Sequence, residues 1–135
     1  MQCTIVTPDR TVHDDDADFV AVTLYDGEAG IGPSRAPMIG RLGYGELRIT
    51  LAGQVERYYV EGGFVEVRDD NVSVLTERAV HSTEIELAVA REQLMAAQAS
   101  PITSPEQAAI RERAISQARA QLLVARRADG PLMAD

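Results

Sequence analysis

The stretch GELRITLAGQVERYYVEGGFVEVRDDNVSVL, residues 45–75, decides the fold. Apolar and polar residues alternate over 47–51, and the pair Ala52-Gly53 permits a tight reversal into a second run, 55–60. The same two-residue period appears on both sides of the turn at 69–71. The stretch therefore predicts two β-hairpins, each with one apolar face.

The chain before this stretch predicts a further hairpin. Thr7-Pro8-Asp9-Arg10 is a turn sequence between short runs at 3–6 and 11–13, because proline presets φ for a tight corner. The pair Gly62-Gly63 predicts a bulge or a close backbone crossing, and no lysine follows it as a phosphate loop requires. Short strands with one apolar face must pack on another sheet, so an antiparallel β-sandwich or flattened barrel is expected.

The chain changes to helical spacing near residue 80. Thr83 and Glu86 have the spacing of a capping box before a first helix ending near Gln98, while Ser104 and Pro105 begin a second that runs to about Arg127. Apolar stripes predict that the two helices pack as an antiparallel hairpin. The stripes are Leu87, Ala90, Leu94 and Ala97, then Ala108, Ile115, Ala118, Leu122 and Ala125. Alanine buries little area, so the hairpin should be weakly held. We expect a β-sandwich domain over 1–80 and a helical hairpin over 81–135.

Composition excludes several classes of function. A net charge of −8 opposes nucleic-acid binding, and the absence of lysine excludes P-loop and Schiff-base chemistry. Cys3 has no partner for an internal disulfide, while His13 and His81 are too few for the usual zinc sites. Both histidines are expected to be structural. Apolar runs are too short for a membrane span, so we expect an intracellular protein without direct membrane insertion.

Two segments remain as candidate sites. The acidic run Asp14, Asp15, Asp16 and Asp18 lacks calcium-loop spacing and is expected to be a solvated loop. The stretch DGEAGIGPSRAPM, residues 26–38, has three glycines, two prolines and an isoleucine, Ile31, that is expected to be exposed. A shaped loop of this kind usually has a binding function.

This second segment resembles a motif of a known family. GEAGIGPSRAPM, residues 27–38, is similar to the G-E-L-G-I-x-P-x-H-A-P-L segment of the epsilon subunit of the F-type ATP synthase. GELRIT (45–50) and YYVEGGFVEVRDDNVSVLTERA (58–79) continue the resemblance, which weakens to a shared two-helix pattern beyond Ala79.

The resemblance implies a non-catalytic rotor subunit of the central stalk, without a cofactor or metal. It would couple proton flow through the membrane ring of c subunits to ATP synthesis. The implied partners are the gamma subunit and the c-ring, with the alpha and beta subunits if the hairpin extends to inhibit ATP hydrolysis. The implied location is the cytoplasmic face of the inner membrane. Implied contacts are Glu28, Ala29, Gly30 and Ile31 toward the ring, and Arg35, Met38 and Gly40 toward gamma.

The sequence also departs from the family. Arg35 occupies a position where histidine is common, and Gly40 one where threonine can occur. The ATP-binding segment of some members maps onto 85–90, where Glu86 replaces aspartate and Val89 replaces arginine, so ATP binding is expected to be weak or absent. Arg91 lies about 100° around the helix and should not substitute.

Two other functions remain open from the sequence. A free-standing ligand-binding β-sandwich would use 26–38 as its mouth and contain an apolar pocket. A hydrolase would use the aspartate run, and its turnover would depend on Asp16 or Asp18.

Overall fold

Within residues 1–129, which the computed structural model describes, ten strands precede two helices. The strands are β1 (Gln2–Val6), β2 (Thr11–Asp16), β3 (Phe19–Leu24), β4 (Gly27–Ile31), β5 (Met38–Arg41), β6 (Tyr44–Leu51), β7 (Gln54–Glu61), β8 (Phe64–Arg68), β9 (Asn71–Leu75) and β10 (Ala79–His81). A 3₁₀ turn (Ser82–Glu84) leads to α1 (Leu87–Ala99) and α2 (Pro105–Asp129). The predicted fold class, a β-sandwich followed by two helices, is confirmed. The last residues of the expected hairpin, 130–135, lie outside the described residues.

The strands form two five-stranded sheets packed face to face. The first sheet has the order β2-β1-β9-β8-β5, and the second has the order β10-β7-β6-β3-β4. Neighbouring strands are antiparallel except β1 and β9, which run parallel. Inward side chains of both sheets form the core because alternate residues of a strand point to the same face. Its fully buried members include Ile5, Val20, Val22, Ile31, Leu47, Val60, Val65 and Val74.

Tight turns set the strand register. Ala52 and Gly53 have φ values of 51° and 79°, and Asp69 and Asp70 have values of 51° and 63°. Two consecutive positive φ values are the geometry of type I′ turns, whose twist matches that of the flanking strands. At the first turn the Thr7 amide donates to the Arg10 carbonyl at 3.0 Å. All three predicted hairpins are confirmed.

Gly63 lies at a close backbone crossing, one of the two alternatives that the double glycine predicted. Its φ is 96°, and a Cβ atom there would lie 1.9 Å from the carbonyl oxygen of Leu75. Only glycine fits this position without moving β9.

The start of α1 differs from the sequence prediction. Thr83 lies in the 3₁₀ turn, where its amide donates to His81 Nδ1 at 3.2 Å, and the extended residue Ile85 separates that turn from α1. Glu86 is the N-cap of α1 and makes no side-chain capping bond, so the predicted capping box is wrong. The start of α2 is confirmed, because Ser104 Oγ accepts a hydrogen bond from the Gln107 amide at 3.1 Å.

The two helices pack on each other and on the second sheet. The predicted stripes are buried or half-buried, with Ala90, Ala97, Ala118, Leu122 and Ala125 buried. Helix α2 also contacts β6 and β7. Neither described helix combines the length and the apolar content that a membrane crossing requires.

Candidate docking surfaces

An apolar strip crosses the outer face of the first sheet. Val6, Leu75 and Phe64 are directly opposite one another on β1, β9 and β8. Ile39 on β5 is opposite Glu66, two residues along β8 from Phe64 and on the same face. Phe64 is 53% exposed, Leu75 52% and Ile39 72%. Since the helices pack on the second sheet, this apolar strip (Val6, Leu75, Phe64 and Ile39) faces away from them. A contiguous exposed strip of this kind is typical of a protein–protein interface.

The segment expected to be a binding loop is partly a strand. Residues Gly27–Ile31 form β4 at the edge of the second sheet, and only 32–37 connect it to β5. Ile31 is fully buried, so its predicted exposure is wrong. The reason is the two-residue period of β4, which turns Ala29 and Ile31 toward the core and Glu28 and Gly30 outward.

Two residues that were expected to face different partners, Arg35 and Gly30, contact each other. The Arg35 guanidinium, expected on the gamma side, donates to the carbonyl of Gly30, expected on the ring side, at 2.7 Å. Met38 is half-buried against the core, and a Cβ atom at Gly40 would lie 3.0 Å from Leu24 Cδ2. Glu28 remains accessible, with its side chain 60% exposed.

The aspartate run belongs to a strand rather than to the expected loop. Asp14, Asp15 and Asp16 are exposed on β2, whose backbone pairs with β1, and this part of the prediction is wrong. Charged residues suit β2 because it is an edge strand, where they discourage pairing with another chain. Asp18 Oδ2 accepts from the Ala52 amide at 2.8 Å and so supports the β6–β7 turn. Among residues 1–129, no three His, Cys, Asp or Glu side chains converge as metal ligands would.

Both histidines contact one buried tyrosine. The rings of His13 and His81 meet the Tyr58 ring edge-on, at centroid distances of 5.9 Å and 5.0 Å. Tyr58 Oη lies 3.3 Å from His13 Nδ1. Burial, followed by the charge of Glu56, raises the pKa of Tyr58 to about 12. His13 is on β2 and His81 on β10, which are edge strands of the two sheets, so both rings pack on Tyr58 from those edges. Their structural role stays a prediction.

A buried carboxylate, Glu46, bonds three arginines, and no sequence pattern marked it as important. Glu46 Oε1 accepts from Arg127 Nη1 at 2.7 Å and from Arg48 Nη1 at 3.2 Å, while Oε2 accepts from Arg57 Nη1 at 3.2 Å. The side chains of Glu46 and Arg57 are only 6% and 9% exposed. Arg48 also pairs with Glu28 at 3.2 Å. These five residues are called the Glu46 cluster below.

The Glu46 cluster fastens α2 to the second sheet. Arg127 lies in the last turn of α2, whereas Glu46 and Arg57 lie on neighbouring strands. Farther back along α2, Gln117 Nε2 donates to Glu61 Oε2 at 2.8 Å. Val124 is fully buried between these polar contacts. The alternation of charged and apolar residues along β6 predicted which residues point outward. No nearby pattern indicated that Arg127 pairs with Glu46.

A cleft under α1 includes part of 85–90, the segment onto which the family resemblance maps an ATP-binding motif. Its volume is about 260 Å³, and its lining includes Arg78, Glu84, Glu86 and Val89. Arg78 Nη1 lies 3.7 Å from the carboxylate of Glu61. Two carboxylates in the lining would oppose a triphosphate, and weak or absent ATP binding stays a prediction.

These features define a docking protein, with an uncovered apolar strip on one face of the sandwich and a helical hairpin fastened to the other. Comparison with known proteins identifies its family. The family model described as "ATP synthase, Delta/Epsilon chain, beta-sandwich domain" matches residues 1–82. The ATP synthase epsilon chain of Rhodopirellula baltica is 48% identical over 126 residues, which is 93% of this chain and 98% of that one. This chain belongs to the ATP synthase epsilon chain family.

Other matches cover different parts of the chain. The epsilon chain of Desulforudis audaxviator is 48% identical over 84 residues, which is 62% of this chain and 61% of that one. A chain in the Euglena gracilis mitochondrial ATP synthase has a TM-score of 0.81 at 22% identity, covering 87% of this chain and 76% of that chain. A chain of the Tetrahymena thermophila mitochondrial ATP synthase central stalk and c-ring has a TM-score of 0.72 at 15% identity, covering 93% and 96%. At these identities the structural matches show a shared fold.

Proposed function

We propose that this chain docks between the gamma subunit and the c-ring and couples proton flow through the ring to ATP synthesis. Membership in the epsilon chain family makes it a non-catalytic subunit of the peripheral F1 sector. Torque transmission requires a stiff body attached to two partners, and a close-packed sandwich supplies that stiffness. The single observation that carries the proposal is the apolar strip, which a monomer without partners does not need.

The gamma subunit occupies the apolar strip in this proposal. Ile39 at one end of the strip belongs to β5, as do Met38 and Gly40, which the family resemblance assigns to the gamma side. The strip continues from β5 over Phe64 and Leu75, so the docked area is larger than those two residues. Apolar side chains at its centre would supply most of the binding energy.

The ring contact lies on the outward side of β4 and the following loop. Glu28 and Gly30 offer an exposed carboxylate and backbone there, and Arg35 is held against Gly30. Ala29 and Ile31 anchor the strand from the core side and act through its backbone. The chain would lie at the cytoplasmic face of the inner membrane, bound to the polar ends of the ring.

The sandwich and the hairpin have separate roles in the proposal. Residues 1–80 dock, and residues 81–135 form a regulatory element that reaches the alpha and beta subunits when α2 leaves the second sheet. The polar fastening of α2 through Arg127 and Gln117 supports this division, because such contacts can be exchanged for water at moderate cost. Truncation after residue 80 should therefore raise ATP hydrolysis by the assembled complex.

The docking claim is tested by co-purification with gamma. Leu75→Asp places a charge in the centre of the apolar strip and should weaken gamma binding by at least about tenfold. Ile110→Asp is the matched control, since Ile110 is 59% exposed on α2, away from the strip. Equal gamma binding by the two variants would contradict the proposed interface.

A further inference from the structure

The last turn of α2 is held by an oxygen atom that a second arginine shares. Glu46 Oε1 accepts hydrogen bonds from both Arg127 Nη1 and Arg48 Nη1. The other terminal nitrogen of Arg48, Nη2, donates to Glu28 Oε1 at 3.2 Å. Arg48 therefore pairs with two carboxylates, Glu28 at the sheet edge and Glu46, which holds the hairpin.

We propose that Glu28 controls how firmly α2 is held, through Arg48 and Glu46, and that a cationic group of a docked partner loosens α2 by taking over Glu28. When Glu28 binds the partner's cation, Arg48 loses its ion pair with Glu28 and interacts with Glu46 alone. It then competes with Arg127 for Oε1 and repels the Arg127 guanidinium. That the partner is the c-ring rests on the proposed function, whereas the coupling itself is a property of the isolated chain.

The charge balance gives the direction of the effect. Within the Glu46 cluster, the carboxylates of Glu46 and Glu28 face the guanidinium groups of three arginines. Losing the Glu28 carboxylate makes the cluster more positive by one charge, which disfavours the most exposed of the three arginines bonded to Glu46. That arginine is Arg127, at 34% exposure, compared with 26% for Arg48 and 9% for Arg57. Solvent screens these pairs, so the coupling should be moderate.

The geometry also explains why Glu28 can respond to a partner while Glu46 cannot. Glu28 is 60% exposed on the outward side of the edge strand β4. Glu46 is 6% exposed, beneath the end of α2. A cation approaching the sheet edge therefore meets Glu28 first, and Arg48 transmits the change inward.

Hydrogen exchange of α2 amides in the isolated full-length chain tests the coupling. Glu28→Gln mimics the loss of the carboxylate and should speed exchange over residues 118–127 by roughly threefold to tenfold. Arg127→Gln should give a similar or larger increase. Glu66→Gln, which removes an exposed carboxylate on the other sheet, and Arg126→Gln, which removes the neighbouring exposed arginine, are the matched controls and should leave the rate unchanged.

The decisive arm repeats Glu28→Gln in an Arg48→Gln background. With the connecting arginine removed, Glu28→Gln should no longer change the exchange of α2. An equal effect in both backgrounds, or no effect of Glu28→Gln in the native background, overturns the proposal. Neither result depends on gamma or the ring. If only the proposed docking function is wrong, the chain will fail to co-purify with gamma while hydrogen exchange of α2 still changes as expected.

Discussion

Replacing the buried carboxylate of Glu46 by its isosteric amide should destabilise the whole protein. Glu46→Gln removes the charge that the Arg57 guanidinium bonds at 3.2 Å, where both side chains are less than one-tenth exposed. Breaking a buried pair costs about 3 kcal/mol, and the pairs to the more exposed Arg48 and Arg127 add about 0.5 kcal/mol each. We therefore expect the free energy of unfolding to fall by about 3 to 4 kcal/mol.

Urea unfolding followed by far-UV circular dichroism and by tyrosine fluorescence measures this loss. Tyrosine is the useful fluorophore because the chain has four tyrosines and no tryptophan. Arg127→Gln is the matched comparison, because it breaks only the half-exposed contact to Glu46 and should cost about 1 kcal/mol or less. A Glu46→Gln variant as stable as Arg127→Gln would refute the view that the buried Glu46–Arg57 pair, which joins β6 and β7, contributes more to stability than the Arg127 contact.

Three further predictions follow from single features. Gly63→Ala should lower the free energy of unfolding in urea by about 3 kcal/mol, because its Cβ would meet the Leu75 carbonyl. Gly32→Ala, whose Cβ would have nothing within 4 Å, should lower it by under about 0.5 kcal/mol. Equal losses in the two variants would contradict the close crossing at Gly63. Since the pKa of Tyr58 rises from 10.0 to about 12 on folding, its contribution to stability should be complete below pH 10 and be lost as pH rises to 12; a Tyr58→Phe variant with the same loss would contradict this. Calorimetric titration with MgATP should show no micromolar binding at 85–90, and such binding would contradict the reading of that segment.

The turns were predictable because short-range chemistry decides them. Ala52-Gly53 and Asp69-Asp70 lie between alternating strands, and both adopt the positive φ values that such hairpins need. Gly62-Gly63 predicted a bulge or a close crossing, but that the crossing partner is Leu75 depends on tertiary structure. Ser104 also acts as predicted, since an N-cap bond depends only on the next three residues.

The errors arose where tertiary context decides the outcome. Ile31 looked exposed among glycines and prolines, but pairing with β3 turns it into the core. Asp14–16 looked like a loop, but β1 supplies the backbone partner for an acidic edge strand. Glu46 and Arg127 are 81 positions apart, so no local pattern could have paired them. The hairpin therefore has polar fastenings that its alanine content did not indicate.

Gradient-driven ATP synthesis in membrane vesicles tests the central claim most directly. The comparison uses vesicles from cells that make this chain, from cells that make its Leu75→Asp variant, and from cells that make neither. If the chain transmits torque through docked surfaces, synthesis should require the native chain and fall sharply with the variant. Full coupled synthesis in vesicles lacking the chain would contradict the account.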